Sequence, residues 1–261
     1  MPSRRVSPIL AHAEAARVWK LYGFQEPQDL VLEDLAWAMG VLVMDGPLDG
    51  ADARLLRKGS RGLIRVKDTL PERGRRRFAI AHELGHWLLH KNISQVLACT
   101  SLDMVAQYQG SEPEIEANYF AAALLMPESL FGPRVRGHRP SAERVKSLAT
   151  AFDTSLTATA VRCVELADDY CAVVISEMGQ VRWWRASADF EEHFWIDPGT
   201  PLSHHTVASS VFRGEPVPNG PEEVDLECWL PDKKGIESRF IVEEVIPLNR
   251  YGQIISLLWL P

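Results

Sequence analysis

The chain has 261 residues, 46% hydrophobic and 24% charged, so it can bury a core and is not expected to be disordered. Its formal net charge of −7 opposes a protein built mainly to coat nucleic acid, where basic residues dominate. The four cysteines are scattered without a C-x-x-C pair, which argues against a disulfide framework and favours a reducing cytoplasm. With no secretory signal and no apolar run of about 18 residues, we expect a cytoplasmic protein that does not span a membrane.

The first part of the chain alternates helical and strand-like patterns. Helical spacing of apolar residues predicts a helix over Pro8 to Tyr22 and a second, shorter helix over Val31 to Met39. Strand-like segments follow at Val41 to Met44, Ala53 to Leu56 and Gly62 to Val66. Thr69-Leu70-Pro71-Glu72 fits a capping box, so a long helix is expected to begin there and to end near His90.

The rest of the chain changes from helical to β-rich. A helix is expected from about Ser111 to just before Pro127, and a Pro/Gly/Arg-rich linker over Gly132 to Pro140. Two short helices around a turn are expected within Ser141 to Leu166, and another helical stretch near Leu202 to Phe212. Strands are predicted at Cys171 to Ser176, Val181 to Trp184, Phe240 to Ile246 and Ile254 to Leu260. The fold class is therefore α+β and multidomain, with regions 1–131, 132–168 and 169–261.

The segment Ala81 to Trp87 contains H-E-x-x-H inside the predicted long helix. His82 and His86 are four residues apart, so both imidazoles lie on one helical face and can reach one ion at roughly 2.0–2.1 Å. Glu83 is rotated by about 100° from His82 and can stand beside the ion without binding it. From there it can act as a general base, taking a proton from water and passing it to a leaving amine. Apolar neighbours predict a buried helix, in which two unpartnered histidines would be costly, so a metal accounts for them.

A catalytic zinc site needs a third protein ligand and an open position for water. His90 is not expected to be that ligand, because it lies roughly 12 Å along the helix from His82. Glu114 is favoured, because the small alanines on its face of the next helix let that helix approach closely. Glu116 remains an alternative ligand, and simple capping of the helix by Glu114 remains the non-functional interpretation.

Asn118 lies four residues after Glu114 and shares its helical face. Its side-chain amide can hydrogen-bond a ligating histidine from outside the coordination shell, which would orient that ring. Asn118 is therefore predicted to support the site without touching the metal.

These motifs resemble those of the ImmA/IrrE family of bacterial metallopeptidases. The resemblance rests on RFAIAHELGH at Arg77 to His86, EIEANYFA at Glu114 to Ala121 and LLMP at Leu124 to Pro127, in that order. The E-x-x-x-N spacing is similar to the E-x-x-x-D arrangement of gluzincins, whose glutamate binds zinc. The resemblance implies a gluzincin-like metallopeptidase domain, a helix-turn-helix-like segment and a C-terminal GAF-like α/β domain, a layout closest to the IrrE members.

The function that this resemblance implies is a zinc endopeptidase that cleaves a helix-turn-helix repressor and derepresses DNA-damage and radiation-response genes. Zn²⁺ is the expected cofactor, although two histidines and a glutamate also tolerate Mn²⁺ or Fe²⁺. The alternative is a non-catalytic DNA-binding or ligand-sensing regulator with a structural metal. Two-histidine, one-carboxylate sites normally leave an open position, which counts against that alternative.

Direct DNA binding is not expected of the helix-turn-helix-like segment. Its second helix is predicted to expose threonines, Arg162 and Glu165, and it lacks the several Arg, Lys, Asn or Gln side chains that usually read bases. Between residues 153 and 169 one arginine stands against four acidic residues, a net charge of −3 that opposes phosphate contacts. The segment is interpreted as a packing or partner-docking element.

Two further clusters have open interpretations. Arg73, Arg75, Arg76 and Arg77 are expected to form an ion-paired surface, with recognition of an acidic substrate stretch as the alternative. The C-terminal aromatic and histidine residues are expected to be core and surface residues, although a small-molecule or signal input through a pocket there is also considered. They are Trp183, Trp184, Trp195, Trp229, His193, His204 and His205.

Overall fold

Nine α-helices and nine strands form the described part of the chain, which comprises residues 8–70, 72–90, 98–99, 111–230 and 238–261 of a computed structural model. The helices are α1 Pro8–Tyr22, α2 Leu32–Ala38, α3 Arg73–Leu89, α4 Glu112–Leu125, α5 Glu128–Phe131, α6 Ala142–Phe152, α7 Leu156–Glu165, α8 Ala188–His193 and α9 Val207–Phe212. The strands are β1 Val41–Gly46, β2 Ala53–Lys58, β3 Arg61–Lys67, β4 Ala98–Cys99, β5 Cys171–Glu177, β6 Gln180–Ala186, β7 Glu222–Asp225, β8 Phe240–Leu248 and β9 Gln253–Trp259. The α+β class is confirmed.

The chain divides into two compact units. One comprises Met1–Phe131 with Ala149–Ser155, and the other comprises Gly132–Leu148 with Leu156–Pro261. The division into regions 1–131, 132–168 and 169–261 stays a prediction. Within the described residues, no helix is both long enough and apolar enough to cross a membrane.

The first unit contains a four-stranded mixed sheet in the order β1-β3-β2-β4. β1 runs parallel to β3, whereas β2 is antiparallel to both β3 and β4. Helix α3 lies very close to this sheet at Gly62, where a Cβ atom would be 3.0 Å from the Trp87 ring and 3.1 Å from the Val41 side chain. Glycine at this position therefore lets the motif helix pack directly on the strands.

Helix α3 begins at Arg73, three residues later than the capping box predicted, so that expectation is wrong. The backbone N–H of Asp68 donates to the Gly46 carbonyl and that of Leu70 donates to the Lys67 carbonyl. These bonds commit the segment after β3 to a turn and leave Glu72 as the N-cap. Pro71, which belongs to the predicted box, lies outside the described residues.

Helices α1, α3 and α4 form the helical layer of the first unit. A Cβ atom at Gly85 of α3 would lie 3.1 Å from both Ala117 Cα and Phe120 Cδ1 of α4. The expectation that small residues allow a close approach of these helices is confirmed. On the other side of α4, Trp19 of α1 donates its indole N–H to the Leu124 carbonyl at 2.8 Å.

The arginines at the start of α3 are paired, which confirms the ion-paired interpretation. Arg73 pairs with Asp153 and Arg75 pairs with Asp52, each at 2.6 Å. Arg76 pairs with Asp45 at 3.0 Å and also with Glu33. Arg77 donates to the Leu30 carbonyl at 3.2 Å. Because these guanidinium groups already have anionic or carbonyl partners, an acidic substrate would have to displace them.

The second unit is built on an antiparallel five-stranded sheet in the order β6-β5-β9-β8-β7. Glu243 of β8 is fully buried and accepts four hydrogen bonds of 2.8–3.1 Å, from the backbone of Val207 and Ala208, the Trp229 indole and the Ser256 hydroxyl. This carboxylate ties the first turn of α9 to the sheet. Burial raises the pKa of Glu243, while the four donors oppose that shift.

The helix pair α6–α7 forms as predicted, with a turn in which Asp153 adopts a left-handed φ of 52°. The expectation that Arg162 and Glu165 are exposed is wrong. Arg162 is only 2% exposed and pairs with Glu165 at 3.3 Å, because α7 packs against β5 and β6. The Arg162 side chain is therefore held inside the second unit.

Candidate metal centre

Three potential ligand atoms meet between α3 and α4. The two Nε2 atoms of His82 and His86 are 3.0 Å apart, and the Glu114 carboxylate lies 3.1 Å from the first and 3.3 Å from the second. Ligands bound to zinc at 2.0–2.1 Å in a tetrahedron are about 3.3 Å from one another. Among the described residues these three side chains form the one group with the proximity that a metal ion needs.

The hydrogen bonds of the two rings explain why a cation fits there. Each ring has its Nδ1 atom against a polar partner, at 2.7 Å from Asn118 Oδ1 for His82 and at 3.0 Å from His90 Nδ1 for His86. When both Nδ1 atoms carry the proton, two Nε2 lone pairs and a carboxylate face one another. A metal cation satisfies all three, whereas a second proton on the buried rings would have to overcome desolvation.

The electrostatics of the ligands agree with this arrangement. Burial lowers the pKa of His86 to about 4, so its ring is neutral at physiological pH and has a lone pair for a metal. Burial raises the pKa of Glu114, but the adjoining His82 and His86 rings outweigh it and hold the pKa of this carboxyl below its usual range. His86 and Glu114 therefore present a neutral imidazole and a carboxylate, the forms in which these groups bind zinc.

Glu83 lies beside this group but outside it. Its side chain is fully buried, and neither carboxylate oxygen has a hydrogen-bond partner within the described residues. Burial raises the pKa of Glu83 to about 7, while the neighbouring His82 acts in the opposite direction. A buried carboxylate without a partner is expensive, and water held at an adjacent ion would supply the missing donor.

The other residues considered from sequence also lie at the site. Asn118 contacts His82 as predicted for an orienting side chain, although its functional role stays a prediction. His90 and Glu116 contact each other at 3.0 Å and are not among the three converging side chains. His90 also contacts His86. Their spacing of four residues on α3 was the sequence signal that could have predicted this contact between the two histidines.

An arginine from the neighbouring strand stabilises the end of α3. Arg57 of β2 donates to the carbonyls of His86 and Trp87, and its guanidinium lies 4.0 Å from the centre of the Trp87 ring. Cations at a helix C-terminus are favourable because the last carbonyls are negative. This contact, which sequence analysis missed, holds the end of the motif helix against the sheet.

The second unit contains a cavity of about 530 Å³. Trp195, Trp229 and His193 line it, together with acidic residues that include Glu191 and Glu227. The other aromatic and histidine residues named from the sequence are not in its lining: Trp183 and Trp184 are buried in the core, and His204 and His205 lie elsewhere. The second unit therefore has space for a ligand, and only some of the residues named from the sequence line that space.

The H-E-x-x-H motif on one helix and a glutamate from a second helix form a possible metal-binding triad. This arrangement is typical of the metallopeptidase class. Residues 36–164 match the family model Peptidase_M78, described as the IrrE N-terminal-like domain. The resemblance to the ImmA/IrrE family is confirmed. A comparison with curated protein sequences finds no match.

A solved structure of similar fold is a Mycobacterium tuberculosis transcriptional regulator. The similarity covers 96% of this chain and 87% of that protein, with a TM-score of 0.57 and 18% sequence identity. At this identity the similarity supports the fold only.

Proposed function

We propose that this protein is a zinc-dependent endopeptidase that cleaves a helix-turn-helix transcriptional repressor in the cytoplasm and so derepresses DNA-damage and radiation-response genes. The observation that supports the peptidase activity is the convergence of His82, His86 and Glu114 at 3.0–3.3 Å beside the unpartnered carboxylate of Glu83. The repressor substrate and its regulon rest on the family resemblance.

In this proposal His82, His86 and Glu114 hold the ion, and Asn118 keeps His82 in the tautomer that binds it. A zinc ion bound there supplies Lewis-acid polarisation of the scissile carbonyl and lowers the pKa of water. Glu83 accepts the proton of the attacking water and delivers it to the leaving amine. Its buried, nearly neutral pKa suits both halves of this transfer, because the group is a competent acid and base near pH 7.

A regulatory input through the second unit is part of the proposal. The cavity of about 530 Å³ has the size of a small-molecule site, and the GAF-like assignment of this unit remains a prediction. A signal bound there would have to change the activity of the first unit.

The competing function is a non-catalytic transcriptional regulator with a structural metal. Three protein ligands leave an open position, which is typical of catalytic rather than structural zinc. The burial of Arg162 also removes a cation that base or phosphate contact by α7 would need. Direct DNA binding is therefore not proposed.

The test is incubation of the purified protein, loaded with Zn²⁺ or Mn²⁺, with candidate helix-turn-helix repressors and measurement of product masses. Glu83→Gln is expected to keep the fold and the metal while the cleavage rate falls by about 10²–10⁴-fold, because the general base is lost. Glu143→Gln, an exposed change of the same chemistry on α6, is the matched control and should cleave normally.

Full cleavage by Glu83→Gln would contradict the proposed mechanism. Retarded migration of damage-gene promoter DNA by the wild type and by Glu83→Gln alike, without cleavage of any repressor, would favour the non-catalytic regulator.

A further inference from the structure

A chain of buried hydrogen bonds leads away from the metal centre. His86 Nδ1 lies 3.0 Å from His90 Nδ1, and His90 Nε2 lies 3.0 Å from Glu116 Oε2. His86, His90 and Glu116 are only 2%, 6% and 5% exposed. Neither His90 nor Glu116 belongs to the converging ligand group, and the proposed chemistry makes no use of them. Two buried polar side chains that are linked by hydrogen bonds to a proposed ligand need a physical explanation of their own.

The donors and acceptors of this chain can be assigned in one direction. When Nε2 of His86 faces a metal ion, its proton lies on Nδ1, which donates to His90 Nδ1. His90 then has its proton on Nε2 and donates it to the Glu116 carboxylate, which only accepts. This one arrangement satisfies every position in the chain, so the two rings and the carboxylate fix one another.

We infer that His90 and Glu116 are a positioning pair that holds His86 in its metal-binding tautomer and ring orientation and strengthens its bond to the ion. The inference rests on the proposed metal site. A carboxylate at the end of the chain makes the ligating nitrogen more basic through the intervening imidazole, as carboxylates bonded to metal-binding histidines do.

The backbone places His90 for this task. His90 is the C-cap residue directly after α3, with φ −117° and ψ 50°, and its N–H still bonds to the His86 carbonyl. The departure from helical geometry occurs one turn beyond His86, where the two rings stand with centroids 5.0 Å apart. Glu116 approaches from α4, the same helix that provides Glu114. Helix α4 therefore provides one proposed ligand, Glu114, and supports another, His86.

The two histidine ligands are held unequally. His82 is oriented by the neutral amide of Asn118, whereas His86 is oriented by a relay that ends in a carboxylate. The inference therefore predicts that the His90–Glu116 pair affects metal affinity through the electronic character of the ligand and not only through packing.

The experiment compares His90→Phe and Glu116→Gln with the wild-type full chain. His12→Phe is the matched control, because it makes the same chemical change on α1, where the ring of His12 packs edge-on to Tyr119 at 5.7 Å. Zn²⁺ affinity is measured by competition with a chromophoric chelator, the visible spectrum of the Co²⁺-loaded protein reports ligand geometry, and thermal unfolding of the apo forms reports packing.

His90→Phe is expected to weaken Zn²⁺ binding by about 10–100-fold and to shift the Co²⁺ spectrum, because an orienting partner of a ligand is lost. Glu116→Gln keeps an oxygen acceptor for His90 and is expected to lose less affinity than His90→Phe. The thermal unfolding of the apo forms of these variants is not expected to follow the same order as their Zn²⁺ affinities.

If His90→Phe and Glu116→Gln bind Zn²⁺ like His12→Phe and give the wild-type Co²⁺ spectrum, the positioning inference is wrong while the metal site stands. If the wild type itself binds no Zn²⁺, the proposed function is wrong and the inference is lost with it. If His90→Phe does not fold, the affinity and spectrum of Glu116→Gln decide alone: wild-type values overturn the inference.

Discussion

Two carboxylates near the metal centre show how surroundings divide roles between side chains of one kind. Glu83 is fully buried without a hydrogen-bond partner in the described residues, and burial raises its pKa to about 7. The Glu114 carboxylate lies 3.1 and 3.3 Å from the Nε2 atoms of His82 and His86, and the proximity of these two rings lowers its pKa. Pairs of titratable groups whose environments separate their pKa values are typical of acid–base sites. This difference supports the proposed roles of Glu114 in metal binding and of Glu83 in proton transfer.

Two thiols in the second unit provide a prediction at the same scale. Cys163 and Cys171 are fully buried, and burial raises the pKa of each to about 12. At pH 8 only about one in ten thousand of such thiols is the reactive thiolate, a fraction that rises with pH. Iodoacetamide at pH 8 should therefore modify both residues only after denaturation, as read by peptide masses.

Cys228 is the internal comparison for this labelling, because its side chain is half-buried and makes a 3.5 Å contact with the Ser203 hydroxyl. Modification of Cys163 or Cys171 in the native protein as fast as in denaturant would show that the second unit opens and that the burial described is not its solution state.

Single residues also show what sequence can and cannot predict. His82, His86 and Glu114 were predicted because i, i+4 spacing and a small-residue face are local signals. Glu116 is two positions from Glu114, about 200° around the helix, so only one of them can face His82 and His86. The partnership of His90 with Glu116 was missed because it joins two helices across 26 positions of sequence.

At the scale of elements, the site depends on how closely α3 and α4 approach. Gly85 allows that approach, since a Cβ there would be 3.1–3.2 Å from the Ala117 backbone and the Phe120 ring. Backbone atoms cannot move aside as the end of a flexible side chain can. The distance from the histidines on α3 to Glu114 on α4 is therefore set by this contact.

Gly85→Ala is expected to push the two helices apart and to separate Glu114 from the histidines. Overpacking lowers the free energy of unfolding by about 1–3 kcal/mol, and the higher helix propensity of alanine offsets about 1 kcal/mol of this loss. Zn²⁺ affinity should fall by more than the small loss in unfolding free energy measured by denaturant titration.

Gly220→Ala is the control for this change, because a Cβ at Gly220 would meet open space. Unchanged Zn²⁺ affinity in Gly85→Ala would show that the helix contact does not set the ligand geometry.

Some elements were predicted well and others were missed for identifiable reasons. Helix α1 begins and ends as predicted because its apolar spacing is long and regular. Strand β7 was missed because three of its four residues are acidic, so its sequence lacks apolar alternation. Helix α8 has six residues, too few for a helical period to stand out. Short elements form through tertiary contacts, which a local pattern does not contain.

At the scale of the whole molecule, the sequence predicted the fold class but not its long-range pairings. The parallel alignment of β1 with β3 and the placement of β9 between β5 and β8 join segments that are distant in the chain. No local propensity specifies such neighbours. The family domain covers residues 36–164 and thus includes the whole candidate metal centre.

The central claim is that one metal ion binds between α3 and α4, and crystals of the Zn²⁺-loaded protein test it most directly. Anomalous diffraction at the zinc edge is predicted to give a single strong peak at about 2.0–2.1 Å from Nε2 of both His82 and His86, with a Glu114 oxygen at a similar distance. A zinc-loaded crystal with no peak there, or with the peak at other side chains, would contradict the account.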